Sequence, residues 1–72
     1  MCGVYYLFDG AAVLYVGASK HVERRVRDHV RRGIDFAGYF CDECPEDQLA
    51  EREAKAIAEF KPSYNVANKL YH

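Results

Sequence analysis

The sequence lacks an excess of either charge, with ten Lys and Arg against eleven Asp and Glu and a formal net charge of −1. Net charge alone therefore does not indicate a nucleic-acid-binding protein. No apolar run is long enough to cross a bilayer and no signal-peptide pattern is present, which predicts a protein without a membrane partner. Three cysteines cannot all pair within one chain, which favours free thiols and a reducing, cytoplasmic location.

Internal repeats, linkers and low-complexity tracts are also missing, so the 72 residues predict one small domain, with residues 66–72 as a short tail. The same length would suit a domain excised from a longer protein. The sequence has no helix-turn-helix and no zinc finger to read a nucleic-acid sequence. Recognition of a nucleic acid, if this chain has it, would therefore depend on the shape of DNA, on a partner protein or on a homodimer.

The charges that are present are segregated along the chain. Residues 20–32 hold six Lys or Arg and two acids, whereas residues 42–59 hold seven acids and two Lys or Arg. The first segment could meet phosphates and the second could meet a cation. On charge alone, two solvated helix faces that attract each other explain the same pattern.

Strand patterns frame the start of the chain. Residues 3–8 and 12–16 are rich in β-branched and aromatic side chains, and Asp9-Gly10 between them is typical of a hairpin turn. Both segments are apolar on both faces, which predicts a sheet covered on both sides. Residues 36–41 predict a third strand. The order β-β-α-β-α indicates an α/β (α+β) fold with a small, three-stranded, mostly antiparallel sheet flanked by helices.

Residues 17–19 are expected to break the second strand, with Ser19 capping a helix over residues 20–32. Gly33 is a suitable stop for this helix. The buried stripe of this helix is predicted to consist of Val22, Val26 and Val30, which recur every four residues. Arg25 and His29 lie at the edge of that stripe, where a histidine is more often a packing residue than a catalyst.

A second helix is predicted from Pro45 to residue 60, and it carries an acid where an apolar residue is expected. Glu53 falls within the stripe formed by Leu49, Ile57 and Phe60. A carboxylate that faces the core is costly unless it is paired or binds a cation. The alternatives are a salt bridge to an arginine of the first helix, a metal ligand and an acid–base group.

Several residues occur in the register of one nuclease family. Gly3-Val4-Tyr5 and Tyr15-Val16-Gly17, with motif glycines Gly3 and Gly17, resemble the paired signature of the GIY-YIG endonucleases. The resemblance continues through Arg25, His29, Glu53 and the closing segment 61–65, in which Asn65 matches a recurrent asparagine. It is strongest with the nuclease module of the excinuclease C subunit and with small stand-alone members. It implies the GIY-YIG fold.

The resemblance also implies an endonuclease that nicks DNA with one Mg²⁺ or Mn²⁺ ion held by Glu53. Arg25 would grip the phosphate, and Tyr5 and Tyr15 would position and deprotonate water with help from cationic neighbours, including His29. Tyr5 is the first choice of general base and His29 the second.

Outside this centre, Arg24 and Arg31 of the basic helix would contact the DNA backbone. Asn65 would anchor the closing loop or contact a phosphate. Tyr6 is assigned to packing, because alternation sends it to the face of the sheet opposite Tyr5.

Two features leave other functions open. Ala18 stands where excinuclease-like members often carry a lysine, which favours a non-catalytic DNA-binding or protein-interaction module on the same fold. If the first and third strands are neighbours, Cys2 would lie near Cys41, and with Cys44 they could hold zinc. Such a site would need a fourth ligand from His72 or His21, and free thiols are the simpler expectation.

Overall fold

The computed structural model describes residues 1–64. The elements are β1 (Gly3–Asp9), β2 (Ala12–Ser19), α1 (Val22–Arg31), β3 (Gly38–Glu43), a 3-10 turn (Glu46–Gln48) and α2 (Leu49–Phe60). The strands form one antiparallel sheet in the order β2-β1-β3. The predicted α+β class, element order and antiparallel sheet are therefore confirmed, while the predicted tail 66–72 lies outside the described residues.

The hairpin turn falls where the sequence predicts it, with Gly10 at a φ of 61°. The end of β2 was predicted wrongly, because the strand continues through residues 17–19 and Ser19 pairs with Gly3. Small residues have little strand propensity of their own, but pairing along the full length of β1 overrides that preference. The third strand was also placed two residues too early.

The first helix starts two residues later than predicted, at Val22. Ser19 is not its N-cap, because the Ser19 Oγ accepts a hydrogen bond at 2.9 Å from the backbone N–H of His21, which itself precedes the helix. At the other end the prediction is confirmed. Gly33 follows the helix at a φ of 84° and donates its N–H to the carbonyl of Val30.

The buried stripe of α1 differs from the predicted one in its last member. Val30 is 59% exposed, whereas His29 is only 2% exposed. Successive helical residues turn by about 100°, so position 29 returns close to the direction of Val22 while position 30 points well to one side. A histidine thus occupies the core position that the valine repeat was expected to fill.

The two faces of the sheet bury separate cores, as the apolar strands predict. In an antiparallel sheet, directly paired residues share a face. The face under α1 buries Tyr5, Leu7, Tyr15, Val22, Val26 and Ile34. The face under α2 buries Val4, Val16, Cys44 and Ala56.

The second helix runs to residue 60 as predicted, preceded by the 3-10 turn that follows Pro45. Its stripe was predicted only in part. Leu49 and Ile57 pack against the core, but Phe60 is exposed and Ala56 is the buried residue of the helix. Within residues 1–64, no helix is long and apolar enough to span a membrane.

Candidate active site

The tyrosine and glycine of the paired signature meet across the sheet. Tyr5 of β1 pairs directly with Gly17 of β2, so both face α1. A Cβ atom added to Gly17 would lie 2.5 Å from the Tyr5 hydroxyl oxygen, because the phenol ring crosses over the glycine. Gly3 has a different reason to be small, since a Cβ there would collide with the backbone of Asp42 on β3. The two motif glycines therefore permit close backbone and ring approaches.

The hydroxyl of Tyr5 reaches α1 and forms a hydrogen bond of 2.9 Å with the Nε2 atom of His29. Both side chains are almost fully buried, with Tyr5 1% exposed and His29 2% exposed. The two residues lie 24 positions apart in sequence. Their contact depends on α1 crossing the sheet at the height of Tyr5, so the sequence could propose two candidate bases but not their direct hydrogen bond.

Tyr15 completes an aromatic cluster with this pair. Its ring centroid lies 6.0 Å from that of Tyr5 and 4.8 Å from that of His29. Tyr15 is 2% exposed and its ring is tilted against both neighbours. Tyr5, Tyr15 and His29, three of the candidate site residues, therefore lie together on one face of the sheet, and their side chains are almost fully buried.

Burial is the main cause of the shifted pKa values in this cluster. It raises the pKa of Tyr5 above the ordinary value of 10.0, and the nearby Tyr15 raises it further, while Arg25 opposes both effects. Burial also lowers the pKa of His29 below 6.5, assisted by the positive charges of Arg25 and Arg32. These surroundings disfavour the charged imidazole, so they argue against His29 as a source of positive charge for the tyrosines.

Arg25 supplies the positive charge at this site. It lies on α1 one helical turn before His29 and is half-buried, as predicted. The pKa of Arg25 is raised, mainly because its guanidinium forms a hydrogen bond with Tyr5. Its charge also lowers the pKa of Tyr15, against the stronger effect of burial. A permanent cation with several donors thus lies beside two phenols, between the buried ring cluster and solvent.

Glu53 approaches the same cluster from α2. That helix packs more on β2 than on β1, and Glu53 is half-buried near the middle of the helix. The carboxylate is near enough to Tyr15 that its negative charge raises the pKa of that tyrosine, second only to burial. The charges of Glu53 on α2 and of Arg25 on α1 therefore both act on Tyr15, in opposite directions.

The cysteines predicted as possible zinc ligands lie on different faces of the sheet. Within residues 1–64, no three His, Cys, Asp or Glu side chains are grouped so that they could share an ion. Cys2 lies opposite Cys44, not near Cys41, because the N–H of Cys44 donates to the carbonyl of Cys2. Cys41 pairs with Tyr5, which places it on the other face of the sheet. The arrangement gives no support to a three-cysteine zinc site, and His72 lies outside the described residues.

Several other predicted residues lie around this centre. Arg24 and Arg31 are exposed on the outer side of α1. Tyr6 faces the side of α2, as alternation predicts, and Ala18 packs on that side as well. Asn65 lies outside the described residues.

Sequence reasoning assigned no role to Tyr64, although the closing segment contains it. Tyr64 packs against the core cluster that includes Tyr5 and Tyr15, and the preceding Pro62 is fully buried. The signal available in the sequence was the position of an aromatic residue directly beside Asn65 in a segment that resembles the family. Searches of the chain against protein-family models, curated proteins and solved structures gave no significant match.

Proposed function

We propose that this protein is a divalent-metal-dependent DNA endonuclease of the GIY-YIG type. The observation that carries the proposal is the convergence of Tyr5, Tyr15, Arg25 and His29 in one cluster, with the Glu53 carboxylate acting on Tyr15 from the neighbouring helix. These are the residues that the resemblance singles out. Packing alone does not require a guanidinium and a carboxylate beside two buried phenols.

Glu53 is the residue that would hold the Mg²⁺ or Mn²⁺ ion. A single half-buried carboxylate suits Mg²⁺, because this ion keeps most of its water ligands and takes few from protein. When bound, the ion would act as a Lewis acid on the phosphate and its leaving oxygen.

The exposure of each remaining side chain indicates its role in the proposed reaction. Arg25 is accessible and would bind the non-bridging phosphate oxygens through paired N–H donors. Tyr5 and Tyr15 are almost fully buried, so a bound phosphate meets Arg25 and Glu53 first. The positive charge of the guanidinium opposes the rise that burial causes in the pKa of both phenols, which favours transfer of a proton away from them.

The two candidate bases of the sequence analysis act in series in this proposal. In the tautomer that carries its proton on Nδ1, His29 accepts the Tyr5 proton at Nε2, across the 2.9 Å hydrogen bond. Tyr5 then takes a proton from the attacking water as it gives its own to His29. The lowered pKa of His29 keeps the imidazole neutral before the reaction, which is the state that can accept a proton.

A non-catalytic DNA-binding module is the second candidate. Two observations favour it: the Tyr5 hydroxyl is used in an internal hydrogen bond, and Ala18 replaces the lysine of excinuclease-like members. Such a module would use the exposed arginines of α1 and would leave DNA uncut. The two candidates therefore differ in cleavage and agree in binding.

The deciding experiment is nicking of supercoiled plasmid by the purified chain in Mg²⁺ or Mn²⁺, beside an EDTA control. Glu53→Gln keeps the size of the side chain and removes its charge, and Glu51→Gln is the matched control because Glu51 is an exposed acid of the same helix. We expect metal-dependent nicking that Glu53→Gln abolishes and Glu51→Gln preserves, with DNA binding retained by both. Binding without cleavage by the wild type would favour the module, and cutting by Glu53→Gln would remove Glu53 from the mechanism.

A further inference from the structure

The third strand is the least covered strand of residues 1–64. It lies at the edge of the sheet, and neither α1 nor α2 packs substantially on it. Two of its large side chains, Tyr39 and Phe40, are exposed, and Phe40 has 60% of its surface accessible. An exposed edge strand with an aromatic residue is a template for pairing with another strand.

The register of the sheet identifies which backbone groups of β3 are available. The N–H of Cys44 donates to the carbonyl of Cys2, so this pair belongs to the hydrogen-bonded set of the β1–β3 ladder. Such pairs alternate along antiparallel strands, so the even-numbered residues of β3 bond to β1. The odd-numbered residues Tyr39, Cys41 and Glu43 therefore direct their N–H and C=O groups away from the sheet.

Phe40 is also the outer end of a row of aromatic rings. Its ring centroid lies 6.0 Å from that of Tyr6, which lies 5.7 Å from that of Phe60 in an edge-to-face arrangement. The row crosses the face of the sheet that carries α2 and ends at the open edge. The groove beside it is lined mainly by apolar side chains, including Phe8 and Val13.

We propose that two copies of this chain associate by antiparallel pairing of their β3 strands, with the two-fold axis at Phe40. In this register Tyr39 faces the partner's Cys41, and Cys41 faces the partner's Tyr39. Each pair forms two hydrogen bonds through the outward-directed N–H and C=O groups, which makes four in total. Phe40 then faces the partner's Phe40 in a non-hydrogen-bonded pair, where side chains approach most closely and aromatic pairs stabilise a sheet.

The acids at the end of β3 select this register over its neighbours. With the axis at Phe40, Asp42 lies opposite the partner's Gly38, and no like charges meet. With the axis at Cys41, Phe40 would lie beside the partner's Asp42 and lose its aromatic partner. With the axis at Asp42, two carboxylates would face each other directly, which is destabilising.

The dimer would be a six-stranded continuous sheet with one row of aromatic rings crossing its centre. A strand of six residues buries less surface than a standard protein interface, so the association is reversible and depends on protein concentration. Because the axis is perpendicular to the sheet, the two α1 faces lie on the same side. If the proposed nuclease function holds, both active sites then open toward one DNA duplex.

The first test is sedimentation equilibrium of the full chain, without DNA or metal, over a hundredfold range of concentration. Phe40→Lys places two positive charges together at the axis, whereas Phe60→Lys changes an equally aromatic, exposed position away from the interface. We expect a monomer–dimer equilibrium in the wild type, with the dissociation constant of the dimer raised at least about tenfold by Phe40→Lys and less than about twofold by Phe60→Lys. A monomeric wild type, or equal effects of the two variants, would overturn the proposal.

The second test fixes the register and does not depend on the folding of Phe40→Lys. Phe40→Cys and Asp42→Cys are compared in a Cys2→Ser, Cys41→Ser background that keeps the buried Cys44. Glutathione disulfide is the oxidant, so two protein thiols become one intermolecular disulfide while one glutathione disulfide becomes two glutathione thiols. We expect Phe40→Cys to form a covalent dimer at least about tenfold faster than Asp42→Cys, because only position 40 meets itself at about 4.5 Å between Cα atoms.

Equal rates of cross-linking for the two cysteines would show random collision and would overturn the pairing. Both measurements are made without substrate. A dimer that does not cut DNA would therefore leave this inference intact, and a nuclease that stays monomeric would refute it without touching the proposed function.

Discussion

Replacing Gly17 with alanine would test how the candidate site is built. The added Cβ atom would lie 2.5 Å from both the hydroxyl oxygen and the Cζ atom of Tyr5, so the phenol ring must shift by about 1 Å to reach an ordinary contact distance. Tyr5 is 1% exposed and has no free space to occupy. The shift therefore takes its hydroxyl out of reach of the His29 Nε2 atom, which now lies 2.9 Å away.

Two destabilising contributions to the free energy of unfolding add in Gly17→Ala. Forcing a side chain into a packed core costs about 1–3 kcal/mol, and breaking the buried Tyr5–His29 hydrogen bond costs about 1 kcal/mol more. The free energy of unfolding should fall by about 2–4 kcal/mol, which in a domain of this size lowers the melting temperature by at least about 10 °C. Gly33→Ala is the matched control. Its Cβ would meet nothing within 4 Å, so only the positive φ of 84° opposes it, at about 1 kcal/mol.

Urea unfolding followed by circular dichroism measures both variants, and the ¹⁵N chemical shifts of the imidazole report the hydrogen bond at His29. We expect Gly17→Ala to be less stable than Gly33→Ala and to change the Nε2 resonance, whereas Gly33→Ala leaves that resonance unchanged. If Gly17→Ala is as stable as the control and keeps the Nε2 resonance, the close packing of Tyr5 over Gly17 is refuted.

Three further predictions concern pH, DNA binding and a helix end. The pKa of His29 in the folded state lies below its unfolded value of 6.5. The free energy of unfolding should therefore fall as the pH drops from 6.5 toward the folded-state pKa, and His29→Phe should flatten this pH dependence in urea titrations. Replacing Arg24 and Arg31 with alanine should reduce the slope of log binding constant against log salt by roughly two, while Lys55→Ala on α2 leaves it unchanged. Lys61 ends α2 at a φ of 46°, so Lys61→Gly should raise the unfolding free energy by about 0.5 kcal/mol in urea denaturation.

Local patterns were enough to predict the elements. The apolar residues of β1, the Asp9-Gly10 turn and the stop at Gly33 each depend on neighbours within a few positions, and each is found as predicted. The assignment of Tyr5 to one face and Tyr6 to the other also follows from strand alternation alone. For the same reason, the residues that could belong to a site were recognisable before their distances were known.

The tertiary structure decided which partner each of these residues meets. The continuation of β2 to Ser19 depends on β1, and the burial of His29 in place of Val30 depends on where α1 crosses the sheet. The same crossing brings His29 to Tyr5, while the position of β3 at the edge of the sheet leaves Phe40 exposed within residues 1–64. A sequence directly specifies the preference of each segment for helix, strand or turn. Contacts between residues far apart in the chain depend instead on how all the elements pack together and which side chains that packing buries.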